Sequence, residues 1–353
     1  MLGAPGTGKR FENCLPAPLV FCYPHRMGEA PAKIIDLHMH GIAGFDTRTT
    51  DPAAMLRIAE IEGGAGVSEI MLSIYPAPLD VMRGQTAAVK AAMARQGAGQ
   101  ARIIGVHIEG PFLNPLMAGA LDPGSFIPPG ERVFRELTEG YEEVVRIVTI
   151  APEMGGAVPL IRQMADAGIR VNMGHSNATY AEAEAGFRAG ARGITHLFNA
   201  MRGFHHREPG IAGFGLLNKD VYVEIIGDLV HLHPSAVELI VRLKDAGKVV
   251  LVSDSIRDTD ISGNTESHTK AHRGGDKEPT QAYTLARQGE RRGANKDGAK
   301  KAARYKTSPV EKGILSGGSL TIADAGRRLI EAGFDADYVV RCMTTTPRSY
   351  LEG

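Results

Sequence analysis

The feature that most constrains this chain is an alternation. From residue 33 onward, short and nearly continuous apolar runs are separated by longer segments with helical spacing. The runs fall at 33–40, 68–74, 102–109, 145–152, 169–175, 193–199, 221–228 and 248–255. A strand with one wet face alternates in polarity, whereas a continuous apolar run is covered on both faces. Between them, 52–62, 79–95, 158–167, 180–189 and 234–246 read as amphipathic helices. Thr179 and Pro234 are helix-entry residues, and Gly63, Gly168, Gly190 and Gly247 are stops. Strand and helix in alternation make a parallel sheet with crossover helices. Eight such strands close on themselves, so the expected fold is α/β, a (β/α)8 TIM-type barrel.

The length, 353 residues, suits one barrel with additions, and 43% hydrophobic residues exclude wholesale disorder. Lys and Arg number 40 against 40 Asp and Glu, which argues against a nucleic-acid partner. No apolar run approaches the roughly 20 residues that cross a bilayer, and the short stretch 19–22 is flanked by prolines rather than set in a signal peptide. Three scattered cysteines (Cys14, Cys22, Cys342) exclude a disulfide framework and fit a reducing, cytoplasmic setting. Residues 1–32 read as an irregular lead-in and 33–353 as the barrel. Within it, 257–312 form a polar, low-complexity insertion carrying 13 Lys and Arg against 8 Asp and Glu, so the rest of the neutral chain is acidic by five charges. The insertion reads as a solvated segment or, more sharply, as a basic flap over an anionic ligand. Near the start, Gly3-Ala4-Pro5-Gly6-Thr7-Gly8-Lys9-Arg10 imitates a phosphate-binding loop, but Arg10 stands where Ser or Thr is needed and no strand precedes it.

The polar residues of the runs gather at their C-terminal ends, the rim where barrels carry active sites. His38 and His40 lie in the first, Glu109 ends the third, His175 the fifth, His196 lies in the sixth, and Asp254 is near the end of the eighth. His-x-His puts two rings on one strand face. Any one of these alone reads as a structural residue, but together four imidazoles and two carboxylates suit a divalent metal, Zn or Fe in type. Asp254 beside a metal-activated water suits proton transfer, hence hydrolysis of an amide or ester. Arg207, soon after the sixth run, and His231, after the seventh, suit an anionic substrate. Asn199 and Ala200 offer an amide and a backbone group to a polar ligand.

Longer motifs carry a resemblance. Asp36-Leu37-His38-Met39-His40-Gly41, His107-Ile108-Glu109-Gly110-Pro111-Phe112-Leu113-Asn114, Ala151-Pro152-Glu153, Gly174-His175-Ser176-Asn177-Ala178-Thr179 and His196-Leu197-Phe198-Asn199-Ala200-Met201 resemble the N-acetylglucosamine-6-phosphate deacetylases of the amidohydrolase superfamily. The resemblance covers about 33–256 and resumes at 313–351. It implies hydrolysis of N-acetylglucosamine 6-phosphate to glucosamine 6-phosphate and acetate. It makes Glu109, His175 and His196 the principal metal ligands, His38 and His40 the completion of a second position, and Asp254 the general base and acid. Asn199, Ala200, Arg207 and His231 become sugar-phosphate contacts, one phosphate contact being supplied across a homodimer. Leu315-Ser316-Gly317 closes over the substrate, and Ala120 sits in the loop that meets the acetyl group.

The chain departs from that family in three ways. Gly119-Ala120 is followed by Leu121 where the family has a His that polarises the acetyl carbonyl. The auxiliary β-sandwich built from both chain ends is expected to be largely missing, and 257–312 is unlike the family's usual loop. Two other functions therefore stay open: an amidohydrolase for another N-acyl or cyclic amide substrate, or a weakly active or non-catalytic sugar-phosphate-binding relative.

Overall fold

The computed structural model describes residues 33–261 and 315–353. The lead-in, the phosphate-loop imitation, Cys14, Cys22 and almost all of the polar insertion lie outside the described residues.

The eight expected strands are present. They are β1 (Ile35–Met39), then, after a short antiparallel ribbon of β2 (Gly41–Ile42) and β3 (Phe45–Asp46), β4 (Glu69–Ile74), β5 (Arg102–Glu109), β6 (Val145–Ile150), β7 (Arg170–Met173), β8 (Gly193–Ile194), β9 (Tyr222–Ile226) and β10 (Val249–Val252). The sheet order is β1-β4-β5-β6-β7-β8-β9-β10, with every neighbouring pair parallel. Its two edges meet where the Asp254 amide donates to the His38 carbonyl at 2.8 Å and the His40 amide to Ser255 at 2.7 Å, so the barrel is nearly closed. The apolar runs are continuous because these strands are buried on both faces: all residues of β1, β4 and β10 are buried.

The fifth and sixth runs form less ladder than their length suggests. Pairing ends at Met173 and Ile194, and the chain then turns through left-handed backbone at His175 (φ 45°) and His196 (φ 30°). Such conformations cost a non-glycine residue of order 1–3 kcal/mol and gather at functional sites.

The crossover helices are α1 (Pro52–Gly64), α2 (Leu79–Met93), α3 (Glu131–Thr138), α4 (Ala157–Asp166), α5 (Tyr180–Ala189), α6 (Gly210–Leu217) and α7 (Pro234–Leu243). Thr179 caps α5 in a full capping box with Glu182, an arrangement worth about 1 kcal/mol. The final segment contains three helices: α8 (Ile322–Glu331), α9 (Ala336–Met343) and α10 (Thr345–Glu352). Tyr350 of α10 joins an apolar cluster with Ile35, Leu37, Ile147 and Val250 from the strands. Among the described residues, β2 and β3 are the only strands outside the barrel, and none of the helices is long and apolar enough to cross a membrane.

Candidate metal centre and its cavity

Six expected residues come together at the strand ends. His175 Nε2 and His196 Nε2 each lie 3.1 Å from Glu109 Oε1 and 3.2 Å from one another. On the other side of the same carboxylate, His40 Nε2 is 3.1 Å from Glu109 Oε2, and His38 Nε2 is 3.5 Å from Oε1. Asp254 Oδ1 is 3.5 Å from His38 Nε2 and 3.7 Å from His40 Nε2. Asp254 is itself left-handed (φ 48°) and, at 14% exposure, the least covered of the group.

The donor set fits a cation. His175 Nδ1 donates to the Met117 carbonyl at 3.0 Å, so its Nε2 carries a lone pair. That lone pair, the His196 ring and a Glu109 oxygen crowd one point. Glu109, His175 and His196 form one group of converging ligand atoms, and His38, His40 and Glu109 form another. Burial alone would push the Glu109 pKa up, but the His38 charge and the close contacts of its oxygens with the His175, His196 and His38 rings hold it well below the usual carboxylate range. Burial likewise opposes charge on His38, yet Glu109 and Asp254 draw its pKa well above the ordinary imidazole value. A carboxylate kept ionised among imidazoles is a cation site in chemistry as well as in shape.

A cavity of about 260 Å³ opens onto this cluster, lined by His40, Glu109, His175, His196 and Asp254. Ala120, Asn199, Ala200 and His231 line it as expected, and Leu121 stands among them. Leu315, Ser316 and Gly317 also line it. The Gly318 amide anchors that segment by donating to the Asp254 carbonyl at 2.6 Å. A Cβ at 318 would lie 1.8 Å from the Ser253 carbonyl oxygen, so only glycine permits this approach. His231 Nδ1 lies 2.9 Å from Asp228 Oδ2, which also accepts from Ser319. Burial lowers the His231 pKa, but the Asp228 charge and hydrogen bond raise it overall, favouring the cation.

Arg207 lies apart from the cavity of its own chain. It is exposed, lies 2.9 Å from His206 Nε2, and is not among the residues lining the cavity. Glu208 pins the chain beyond it by accepting from the Tyr180 and Gly210 amides, which leaves the Arg207 side chain facing solvent.

Three residues escaped the sequence reading. Tyr75, one residue past β4, lines the cavity and stacks on the His40 ring with centroids 3.7 Å apart. Glu224 and His107 lie beneath the site and form a third group of ligand atoms with His38. His107 is an unsuitable ligand, because its Nδ1 is 3.3 Å from the Leu37 carbonyl and its Nε2 is 2.8 Å from Thr149 Oγ1. His107 stood in a quoted motif, whereas Tyr75 lies just past the second apolar run and Glu224 within the seventh, with no motif to mark either.

Comparison with known proteins now adds to this geometry. The model of the amidohydrolase family matches residues 32–352. The chain belongs to the amidohydrolase family. N-acetylgalactosamine-6-phosphate deacetylase of Escherichia coli O157:H7 is 34% identical over 223 residues, 63% of this chain and 59% of that protein. N-acetylglucosamine-6-phosphate deacetylase of Vibrio furnissii is 33% identical over 226 residues, 64% of this chain and 56% of that protein. The match to this family member thus spans under three-fifths of these relatives' lengths. The crystal structure of N-acetylglucosamine-6-phosphate deacetylase from Thermotoga maritima superposes with a TM-score of 0.69 at 26% identity, covering 91% of this chain and 78% of that one. The corresponding Mycobacterium smegmatis enzyme, at TM-score 0.72 and 24% identity, supports the fold.

Proposed function

We propose that the chain is a metal-dependent hydrolase that removes the acetyl group from N-acetylglucosamine 6-phosphate, giving glucosamine 6-phosphate and acetate. One observation carries the reading: an acid, Asp254, faces a cavity beside the converging ligands Glu109, His175 and His196. The nitrogen and oxygen donors suit Zn or Fe, with His38 and His40 able to hold a second ion. A divalent cation there lowers the pKa of water towards about 7 and polarises the acyl oxygen.

The chain's own groups do the rest. Asp254 takes the proton of the attacking water and delivers it to the departing amine as the C–N bond breaks. His231, held by Asp228 and biased towards its cation, faces the phosphate. Asn199 and the Ala200 backbone orient the sugar, while Ala120 and Leu315-Ser316-Gly317 close the cavity around it. A homodimer gives Arg207 a role, since an exposed guanidinium outside its own cavity would serve the phosphate in a second copy. A cytoplasmic setting accords with the free, buried Cys342.

A second reading, the galacto epimer as substrate, is favoured by the Escherichia coli relative's activity and by Leu121, which changes the cavity wall. The test is acetate release from N-acetylglucosamine 6-phosphate, its galacto epimer and unphosphorylated N-acetylglucosamine. The gluco 6-phosphate is expected to turn over fastest. Faster turnover of the galacto epimer would replace the substrate, and equal turnover without phosphate would remove the role of His231.

A further inference from the structure

Beneath the cavity, a chain of buried polar groups runs from the C-terminal helix to His38. The Tyr350 hydroxyl donates to Asn172 Oδ1, and Asn172 Nδ2 donates to Glu224 Oε1 at 2.6 Å. Glu224 Oε2 lies 3.3 Å from His38 Nδ1. His38 and Asn172 are 0% exposed, and Glu224 and Tyr350 are 2% exposed. The members come from β1, β7, β9 and α10, so the chain crosses the barrel instead of following one element. Space is reserved for it: a Cβ on Gly193 would come 2.0 Å from Asn172 Oδ1 and 2.7 Å from the Tyr350 hydroxyl.

The polarity of this chain has a direction. Tyr350 claims the oxygen of Asn172, so the Asn172 amino group must face Glu224. The carboxylate oxygen facing His38 accepts, so the contact places a proton on His38 Nδ1. The His38 lone pair is thereby left on Nε2, the atom that points at Glu109, His40 and Asp254.

We propose that Glu224 is a positioning residue that fixes His38 in its Nδ1–H form, and that Asn172 and Tyr350 fix Glu224. His38 is thereby prepared as a metal ligand through Nε2, while His175 is prepared separately by the Met117 carbonyl. The inference rests on His38 being a ligand, and is independent of which sugar phosphate is cleaved.

The test begins with the metal-free full chain labelled with 15N-histidine, at a pH high enough that the His38 ring is neutral. NMR should show His38 with its proton on Nδ1; a proton on Nε2 overturns the proposal without any variant. Glu224→Gln then reverses the pattern. Asn172 keeps the new amide's oxygen, so its amino group meets His38 Nδ1 and drives the proton to Nε2. Zn²⁺ titration of this variant should weaken the His38–His40 position by about 10- to 100-fold and leave the Glu109–His175–His196 position unchanged. Adding Asn172→Ala to Glu224→Gln frees the amide to turn its oxygen to His38, and should restore both tautomer and affinity. A purely packing role predicts further loss. An Nδ1–H tautomer and unaltered titration in Glu224→Gln overturn the proposal. Failure of the wild-type chain to bind Zn²⁺ would instead sink the metal reading, and the tautomer would still decide this one.

Discussion

Two buried glutamates, one at a strand end and one on a crossover helix, behave oppositely. Glu109, at the rim, is 3% exposed and surrounded by four imidazoles; its pKa is held well below the ordinary value. Glu62, on α1, is 0% exposed, and neither of its oxygens has a hydrogen-bond partner. Burial pushes its pKa well up, and the charges of Asp36 and Asp324 push the same way. Asp36 shares this fate in part, raised by burial to about 6 despite bonds from Ser253 and His38. Burial is common to both regions, so the neighbours decide. One carboxylate is kept charged to receive a cation, and the other keeps its proton.

The comparison can be broken or sharpened by substitution, taking the largest effect first. Glu109→Gln removes the charge that both ligand groups share, and should weaken metal binding by more than about a hundredfold and abolish turnover. Retention of metal, measured by elemental analysis after dialysis, would show that Glu109 is no ligand. Asp254→Asn separates proton transfer from metal holding: turnover should fall about 10²- to 10⁴-fold with metal content unchanged. Unchanged turnover would remove Asp254 from the chemistry. Leu121→His restores a donor to the cavity wall and should raise turnover by about tenfold to a thousandfold if the acyl oxygen lacks one. No gain would count against that account of the departure.

Glu62→Leu should stabilise the fold by about 1–3 kcal/mol near neutral pH, because an unsatisfied buried polar group is removed. The pH dependence has a definite sign. The folded chain holds a proton on Glu62 that the unfolded chain releases near the ordinary carboxylate pKa. Stability contributed here is therefore full at low pH and falls as pH rises from that value towards the raised one. Chemical denaturation across pH 4–8 should show a shallower decline in Glu62→Leu than in the wild type. Parallel curves would mean that Glu62 is ionised in the fold.

Much of the rim was legible in the sequence, because strand ends are marked by where apolar runs stop. His40, Glu109, His175 and Asp254 sit at or beside such stops, and with His38 and His196 from within their runs they meet in space. The resemblance placed Leu315-Ser316-Gly317 at the cavity as well. The two-residue length of β8 was hidden, since residues 193–199 keep an apolar composition while His196 turns the backbone left-handed. The direction of Arg207 was not legible, because its sequence position near the sixth strand says nothing about which way an anchored loop turns its side chain. The relay of Tyr350, Asn172 and Glu224 was invisible for another reason. Its members are separated by 178 and 52 residues, and each alone reads as a strand or helix residue without periodic signal. Helices α9 and α10 were missed because they are short and joined by a single residue, Thr344.

The most direct test of the central claim is metal-dependent acetate release from N-acetylglucosamine 6-phosphate by the folded chain. The chain is stripped by chelator, reconstituted with Zn²⁺ or Fe²⁺, and its metal content is measured on the same sample. The account predicts acetate from the reconstituted protein and none from the stripped one. A folded, metal-loaded chain that releases no acetate, or a stripped chain that releases it undiminished, would contradict it.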